Sequence, residues 1–282
     1  MVARDRSAES NDEAAFTPPR SPLRVMNILE ELAKEPLGLL LVQFCERLDL
    51  PKTSVLSLLR ALEDASYVVK HNGVYQLGEA ALRLSSLIAV SFPFPHSVHD
   101  QLVGLMNRCN ETVMLATLSE DKEASVYVDK VECQRVMRFS GFIGARRPLY
   151  CTAAGKALLA FQSRTFIEDY LKNTKLKAYL PSTVANKSDL KHALGNVRAQ
   201  GVAVAIEEFS EGIGAIAAPV FDGVGAVRAS VSIAGPADRV SSMRKDYIRE
   251  VCSTAREMSL LLGWKSELLG DPQATPGLRE WR

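Results

Sequence analysis

The most constraining feature of this sequence is a change in hydrophobic period early in the chain. Apolar side chains first recur at helical spacing in three successive segments. Two β-prone runs then follow, at residues 67–69 and 74–77, and Asn72 and Gly73 lie between them. Asn-Gly between two such runs is a strong hairpin signal. Three short helices followed by a hairpin predict a winged helix-turn-helix over residues 20–80.

Each of the three helical segments has one apolar face. The apolar positions are Val25, Ile28, Leu29 and Leu32 in the first segment, Leu41, Phe44, Cys45 and Leu48 in the second, and Val55, Leu58, Leu59 and Leu62 in the third. Only Asp49 and Leu50 separate the second predicted helix from the third, which starts at Pro51. A connection of this length is typical of a helix-turn-helix.

The side chains of the third helix outside its apolar stripe are expected to face outward. They are Lys52, Thr53, Ser54, Leu56, Ser57 and Arg60. Lysine and arginine neutralise phosphates or read guanine, hydroxyls bind phosphates or base edges, and leucine contacts a thymine methyl. Lys70 and His71 of the hairpin would reach the DNA backbone or the minor groove. The pattern therefore predicts a DNA-recognition helix followed by a wing.

A solvated face of a helical bundle accounts for the same pattern. The formal net charge is +1, so no overall basic field indicates nucleic acid. Winged helices also dock proteins, and the residues alone leave open a ligand-binding α+β protein whose winged helix binds a protein partner. Salt-sensitive binding to a palindromic duplex would separate this alternative from a DNA-binding regulator.

The rest of the chain mixes helices and strands. A linker helix is expected over residues 81–94 and an α+β domain over residues 95–266, with a disordered tail at 1–19 and a loose tail at 267–282. The strand candidates are residues 112–118, 124–131, 134–139, 201–206, 214–221 and 226–234, and the helix candidates are residues 96–109, 152–160, 164–172, 187–200 and 238–262. Adjacent strands joined by turns, such as Asp222-Gly223, imply an antiparallel sheet with helices packed on it.

Composition and cysteine spacing exclude several classes of protein. Five cysteines with no CxxC pair argue against a disulfide framework and a thiolate zinc site, and fit a reducing cytosol. Residues 1–20 lack the apolar core of a signal peptide, and the longest uncharged run, residues 84–99, is too short to span a bilayer. We therefore expect a cytoplasmic protein.

Catalytic motifs are incomplete. Gly155-Lys156 resembles part of a phosphate-binding loop, but the Walker A pattern requires glycine in place of Tyr150 and a hydroxyl in place of Ala157. There is no GxSxG nucleophile motif. Cys151 is expected to be a buried thiol rather than a nucleophile. The sequence therefore predicts no catalytic residue and no cofactor.

A metal-binding site is the remaining candidate for a chemically active site. His96, His99 and Asp100 have the spacing of metal ligands on a helix. Two histidines at the start of a helix are more often part of a polar face, so we expect no metal.

Several segments resemble, in order and spacing, the signatures of the IclR-type bacterial transcription regulators. They are PKTSV at 51–55, YQLG at 75–78, RPLYCTAAGKALLA at 147–160, IAAPVFD at 216–222 and SIAGP at 232–236. The resemblance covers about residues 22–264. It implies a winged helix-turn-helix, a linker helix and a GAF-like effector-binding domain, assembled as a homodimer or homotetramer. One departure is Ser57, where relatives usually have arginine.

The resemblance also implies an effector pocket on the sheet, closed by the loop before the signature helix, which here is residues 141–147. The implied contacts are Gly141, Gly144, Ala145, Tyr150, Cys151, Ala205, Glu207, Ile213, Ala215 and Ser232. Free glycine amides in the loop and the helix start near Thr152 would attract an anionic group. Because the strand positions carry few polar side chains, we expect an apolar body, with an aromatic ring as one candidate, bearing one carboxylate.

The sequence and the resemblance together predict an α+β two-domain protein. Its N-terminal winged helix-turn-helix and C-terminal antiparallel-sheet effector domain would form a ligand-responsive transcriptional regulator. The expected partners are double-stranded DNA at a pseudo-palindromic operator, a small organic acid and a second copy of the chain, with no membrane.

Overall fold

A computed structural model describes residues 20–91 and 94–264. They form two compact units, one ending at Ser91 and the other beginning at Phe94. The expected tails at 1–19 and 267–282 lie outside the described residues, as do residues 92 and 93 of the expected linker helix. Within the described part of the chain, no helix is both long enough and apolar enough to cross a membrane.

The first unit is a winged helix-turn-helix followed by one further helix. In chain order its elements are α1 (Arg20–Lys34), β1 (Leu39–Leu40), α2 (Leu41–Leu48), α3 (Lys52–Asp64), β2 (Val68–His71), β3 (Val74–Leu77) and α4 (Glu79–Ser91). The strands pair antiparallel in the order β1-β3-β2. The predicted three helices and hairpin are confirmed.

The hairpin turn has the backbone geometry that its sequence predicts. His71 pairs with Val74 at the end of the β2–β3 ladder. Between them Asn72 has a φ of 51° and Gly73 a φ of 85°, and positive φ at both central residues is what a type I′ turn requires. The two-residue strand β1 was not predicted, because Leu39 and Leu40 are too few to show an alternating pattern.

The core of the first unit consists of the apolar faces of its helices and one face of its small sheet. The buried side chains are Ile28, Leu32, Leu39, Phe44, Val55, Leu59, Leu62, Val68 and Tyr75. The Phe44 and Tyr75 rings meet edge to face, with centroids 6.2 Å apart. Burial of α3 on this side leaves its opposite side free for other contacts.

The second unit is an antiparallel sheet with helices on both faces. After a 3₁₀ turn (His96–Val98), its elements are α5 (His99–Cys109), β4 (Thr112–Leu118), β5 (Ala124–Val131), β6 (Arg146–Pro148), α6 (Ala153–Ala160), α7 (Arg164–Asn173), α8 (Lys187–Gln200), β7 (Ala203–Ile206), β8 (Ile213–Phe221), β9 (Val227–Pro236), α9 (Ala237–Ser242) and α10 (Arg244–Leu261). The strand order is β6-β5-β4-β9-β8-β7.

Alternate residues of each strand enter two separate cores, as the period of a strand requires. On β4, Val113 and Leu115 pack with the side chains of α5 and α10. Met114 and Ala116, on the opposite face, pack with α6, α7 and α8. This second face carries the cavity described below.

Three predictions of secondary structure in this unit are wrong. Residues 134–139 form no strand, because side chains rather than a neighbouring strand bind their backbone carbonyls. Arg239 Nη2 donates to Met137 O at 2.9 Å, and Thr112 Oγ1 donates to Phe139 O at 2.7 Å. The helix predicted over 238–262 is broken at Met243, and Gly201 ends α8 with a φ of 71° instead of starting a strand.

Candidate functional site

Helix α3 has one buried face and one polar, accessible face. Val55, Leu59 and Leu62 are buried in the core of the first unit. Of the predicted DNA contacts, Lys52, Thr53, Ser57 and Arg60 are exposed, and Ser54 and Leu56 are half-buried. The structure therefore brings these six predicted side chains to the accessible side of one helix.

The turn before α3 is fixed by the backbone. Asp49 ends α2 in the left-handed conformation, with a φ of 50°. The N–H of Leu50 donates to Cys45 O at 3.2 Å, and the N–H of Val55 donates to Pro51 O at 3.1 Å. Pro51 suits this position, because its fixed φ is compatible with the start of a helix. The turn therefore holds α3 in a defined orientation.

The basic side chains of this unit differ in whether they form ion pairs with nearby carboxylates. Arg47 of α2 donates to Glu31 at 3.3 Å and to Glu35 at 2.9 Å, so it ties α2 to α1. The side chains of Lys52 and Arg60 have no ion pair or hydrogen bond with any residue in the described part of the chain. Their charges are therefore available for an external anion such as phosphate.

The wing carries the two remaining predicted DNA contacts. Lys70 and His71 are both exposed at the hairpin end. The ammonium of Lys70 lies 5.0 Å from the centroid of the buried Tyr75 ring, a cation–π arrangement that restrains the side chain. Both residues lie beside the Asn72-Gly73 turn, at the tip of the hairpin.

The second unit contains a cavity on the face of the sheet that carries α6. About 550 Å³ of space without protein atoms lies within it, a figure that includes open solvent. Ala205 of β7, Ala215 of β8 and Ala234 of β9 lie side by side in register and form its floor. Ser232 extends the floor toward Met114. The Ser232 hydroxyl donates a hydrogen bond to Met114 O, with 3.4 Å between the two oxygens. The floor is therefore flat and mostly apolar.

Aromatic and aliphatic side chains form the walls of this cavity. They are Tyr127 of β5, Phe139 and Phe209 from loops, and Ile213 at the start of β8. Phe209 is held edge to face against Tyr179, with ring centroids 4.9 Å apart. Burial raises the pKa of Tyr127, so its hydroxyl stays protonated at neutral pH.

The first turn of α6 forms the polar end of the cavity. Thr152 caps the helix: its Oγ1 accepts from the N–H of Gly155 at 3.0 Å and donates to Pro148 O at 3.0 Å. A Cβ on Gly155 would lie 2.5 Å from the Leu149 Cα, so only glycine fits there. The N–H groups of Ala153 and Ala154 precede the first intrahelical bonds, and both residues line the cavity.

Cys151 also lines this end of the cavity, and it is fully buried. Burial, followed by the nearby Glu208 carboxylate, raises the pKa of its thiol to about 12. The thiol is therefore protonated at neutral pH, which agrees with the buried, unreactive role expected from the sequence.

In the part of the chain that the structure describes, the cavity lining carries one charge without an opposite partner. Glu208 is neutralised by Lys156, whose Nζ lies 2.6 Å from Glu208 Oε1 and 2.8 Å from Val204 O. Arg147, also in the lining, has no carboxylate partner among the described residues. Its guanidinium lies 5.4 Å from the centroid of the Phe209 ring. The remaining positive charge favours an anionic ligand group.

One buried acceptor in the lining has no partner. Glu208 Oε2 is shielded from solvent and accepts no hydrogen bond from the described residues. A water molecule or a donor on a bound ligand would satisfy it, as buried polar atoms require.

Half of the pocket residues expected from the sequence line this cavity. They are Cys151, Ala205, Ile213, Ala215 and Ser232. The cavity lining does not include the other five, namely Gly141, Gly144, Ala145, Tyr150 and Glu207.

The expectation that the Gly144 amide is free for a ligand is wrong. Its N–H donates to Tyr127 O at 2.8 Å, and Gly144 lines a different groove beside Asp121 and Arg146. Gly141 is buried, and a Cβ there would lie 2.9 Å from the Phe139 ring. Ala145 is buried in the core with its carbonyl accepting from the N–H of Tyr127.

Tyr150 and Glu207 have structural partners instead. The Tyr150 hydroxyl donates to Lys177 O and accepts from Lys177 N, both at 2.9 Å. Glu207 Oε1 accepts from the N–H of Gly212 at 2.8 Å and so closes the loop that carries Phe209. The next residue in the chain, Glu208, is the carboxylate in the cavity lining.

Ten lining residues were absent from the predicted set. They are Tyr127, Phe139, Arg147, Thr152, Ala153, Ala154, Glu208, Phe209, Ser210 and Ala234. Ala234 could have been found, because it lies two residues from Ser232 on the same face of a strand. Phe139 and Phe209 lie in irregular loops, whose side-chain directions no periodic pattern reveals.

One of the candidate metal ligands near α5 has another partner. His99 Nδ1 lies 2.8 Å from Asp129 Oδ2, which links the start of α5 to β5. Within the described ranges, no group of three histidine, cysteine or acidic side chains has the arrangement of a metal site.

Comparison with known proteins places both units in one family. Residues 21–71 match the family model for the IclR helix-turn-helix domain, and residues 89–260 match that for the C-terminal part of the bacterial transcriptional regulator IclR. The HTH-type transcriptional regulator KdgR of Escherichia coli K12 is 31% identical, over 86% of this chain and 93% of its own length.

The matches to two further relatives span nearly the full length of each relative. The transcriptional repressor IclR of Escherichia coli K12 is 29% identical, over 93% of this chain and 99% of the relative. The crystal structure of the Thermotoga maritima IclR is 30% identical with a TM-score of 0.58, and the match covers 87% of this chain and 99% of that one.

Proposed function

This chain belongs to the IclR family of DNA-binding transcriptional regulators and is not an enzyme, and we propose that it regulates transcription in response to a small organic acid bound in the cavity of its second unit. The observation that carries this proposal is the cavity itself, with its apolar floor and with Arg147, a cation that has no carboxylate partner among residues 20–91 and 94–264. An anionic group would meet Arg147 and the first amides of α6, and an apolar body would cover the alanine floor.

We propose that α3 enters the major groove of double-stranded DNA with Lys52, Thr53, Ser54, Leu56, Ser57 and Arg60 facing it. Lys70 and His71 of the wing would contact the adjacent backbone or minor groove. The unpaired charges of Lys52 and Arg60 support this assignment, since phosphate contacts require available cations.

The proposed active form contains two copies of the chain, related by two-fold symmetry. A single unit with so few available cations offers too little charge for tight binding, and two copies double the contacts. A pseudo-palindromic operator follows from this symmetry, with half-sites separated by about 34 Å or a multiple of it.

Helix α4 is the proposed interface between the two copies, which we call the seam. It exposes large apolar side chains, namely Leu82, Leu84, Leu87, Ile88 and Val90. Its first turn is bonded to the winged helix, because the N–H of Ala80 donates to Ser66 O at 3.0 Å and that of Gly78 to Tyr67 O at 2.8 Å. A change in the seam would therefore reorient the two recognition helices.

We propose that the effector shifts the equilibrium between DNA-competent and DNA-incompetent dimers. Such a shift requires the effector to bind one arrangement more tightly than the other. By linkage, DNA must then change the effector's affinity by the same factor.

The experiment that tests this function measures operator binding with and without acids. A duplex selected by the full chain from a random library is titrated by fluorescence anisotropy in the presence of small carboxylates and their neutral amides. We expect at least one carboxylate, and not its amide, to change the affinity for the duplex. Unchanged affinity with every acid that stabilises the protein would contradict ligand control.

A charge placed in the seam is expected to dissociate the dimer. Ile88→Glu should raise the dimer dissociation constant at least about 100-fold and lower DNA affinity in parallel, because an unpaired carboxylate is costly in an apolar contact. Ser241, an exposed residue of α9 outside the seam, provides the control Ser241→Glu. Light scattering measures the assembly, and equal behaviour of the two variants would place the seam elsewhere.

A further inference from the structure

The floor of the effector cavity has a shape that selects a flat ligand. Ala205, Ala215 and Ala234 are cross-strand neighbours in three adjacent strands. Strand spacing makes this row roughly 10 Å wide, and each residue contributes only a methyl group above the sheet. A row of small side chains leaves a flat, apolar recess in which a planar ring fits and a branched body does not.

Aromatic rings surround the recess on more than one side. Phe139, Phe209 and Tyr127 all line it, and the Phe209 ring contacts both Tyr179 and Arg147. Aromatic side chains pack favourably edge to face or offset against another ring. The walls therefore add a preference for an aromatic ligand to the planar shape of the floor.

The charge of the lining favours one acidic group on that ligand. Lys156 neutralises Glu208, at 2.6 Å, and this leaves Arg147 as the uncompensated charge in the described lining. The Arg147 fork can donate two parallel hydrogen bonds to a carboxylate. Its cation–π contact with Phe209 positions the guanidinium at the aromatic wall, next to where a ring would lie.

We infer that the effector is an aryl carboxylate whose ring lies on the alanine row and whose carboxylate is bound by Arg147. The inference rests on the proposed function, since it specifies the ligand of the same cavity. Two- and three-carbon acids would satisfy Arg147 but would leave the recess and its aromatic walls uncovered. Arg147 and Ala215 are therefore the residues that determine specificity.

Calorimetry on the full chain tests the inference with four probes. Benzoate carries the ring and the charge, benzamide the ring alone, pyruvate the charge alone, and cyclohexanecarboxylate the charge on a puckered ring. We expect benzoate to bind at least about 10-fold more tightly than each of the others, a difference that corresponds to one good polar or aromatic contact.

Substitution of Arg147 has a matched control in the adjacent arginine. Arg147→Gln should weaken benzoate binding about 10- to 100-fold, the range of a lost charge-assisted hydrogen bond. Arg146 donates to Asp121 at 2.6 Å and lines a separate groove, so Arg146→Gln should leave benzoate binding unchanged.

Filling the recess provides a second variant that keeps every charge. Ala215→Val should lower the affinity for benzoate at least about 10-fold while pyruvate binding is retained, because the added methyl groups occupy the space of the ring. Thermal unfolding without ligand checks that each variant is folded.

The results of these experiments distinguish a wrong ligand class from a wrong proposed function. Pyruvate or cyclohexanecarboxylate binding as tightly as benzoate would overturn the aryl carboxylate and leave regulation by an organic acid intact. Failure of every carboxylate to bind would overturn both. Equal loss of benzoate binding in the Arg147 and Arg146 variants would also overturn the assignment of the carboxylate to Arg147.

Discussion

Glu208→Gln is expected to lower the free energy of unfolding of the second unit by about 3 kcal/mol, because it leaves a buried ammonium without a counter-charge. The side chain of Lys156 is only 5% exposed, and its Nζ lies 2.6 Å from Glu208 Oε1. Urea denaturation measures the loss, and the fluorescence of Trp264, buried beside Phe221, reports on this unit.

The neighbouring carboxylate is the matched control for this substitution. Glu207 is half-buried and accepts one backbone hydrogen bond, from Gly212, which a glutamine oxygen can also accept. Glu207→Gln should therefore cost less than about 1 kcal/mol. Equal losses in the two variants would mean that the Lys156–Glu208 pair does not stabilise the cavity wall. Replacing both partners, as in Lys156→Met with Glu208→Leu, should restore much of the stability.

The double substitution Lys52→Ala and Arg60→Ala is expected to weaken operator binding at least about 100-fold in a dimer, since two contacts are lost in each copy. The slope of log affinity against log salt should fall by about one unit for each lost phosphate contact. Anisotropy titrations at several salt concentrations measure both quantities.

A nearby arginine controls for a general loss of positive charge. Arg47 is paired with Glu31 and Glu35, so Arg47→Ala should leave the salt slope unchanged and cost only a small amount of stability. An unchanged slope in the Lys52 and Arg60 double variant would contradict the assignment of the DNA-binding face.

The first unit could be predicted from the sequence because its signals are local and periodic. The stripe of Val55, Leu59 and Leu62 marks the buried side of α3, and the outward residues follow from helical geometry. Asn72 and Gly73 fix the hairpin because few other residues adopt positive φ at both positions. The strand β1 escaped prediction, since its pairing with β3 depends on contacts distant in sequence.

The cavity could be predicted only where it is built from regular elements. Ala205, Ala215 and Ser232 were expected because alternate strand residues share one face of the sheet. Arg147 was not predicted to line the cavity, although the loop containing it was identified. Its direction depends on the pairing of the short strand β6 with β5, and three residues carry too little pattern to reveal that pairing.

Glycine residues misled the prediction for the closing loop. Glycine suggests exposed amides, yet the Gly144 N–H is bonded to Tyr127 O and its positive φ of 86° serves a turn. Gly155, in contrast, is required by close packing on Leu149. The sequence shows that a glycine is present, and only the three-dimensional neighbours show which of these reasons applies.

Footprinting of a duplex selected from a random library tests the central proposal most directly, namely that two copies of α3 read DNA together. We expect protection of two inverted half-sites whose centres are about 34 Å apart or a multiple of it, with protection lost in the Lys52 and Arg60 double variant. Protection of one isolated half-site, or selection of no preferred sequence by the full chain, would contradict it.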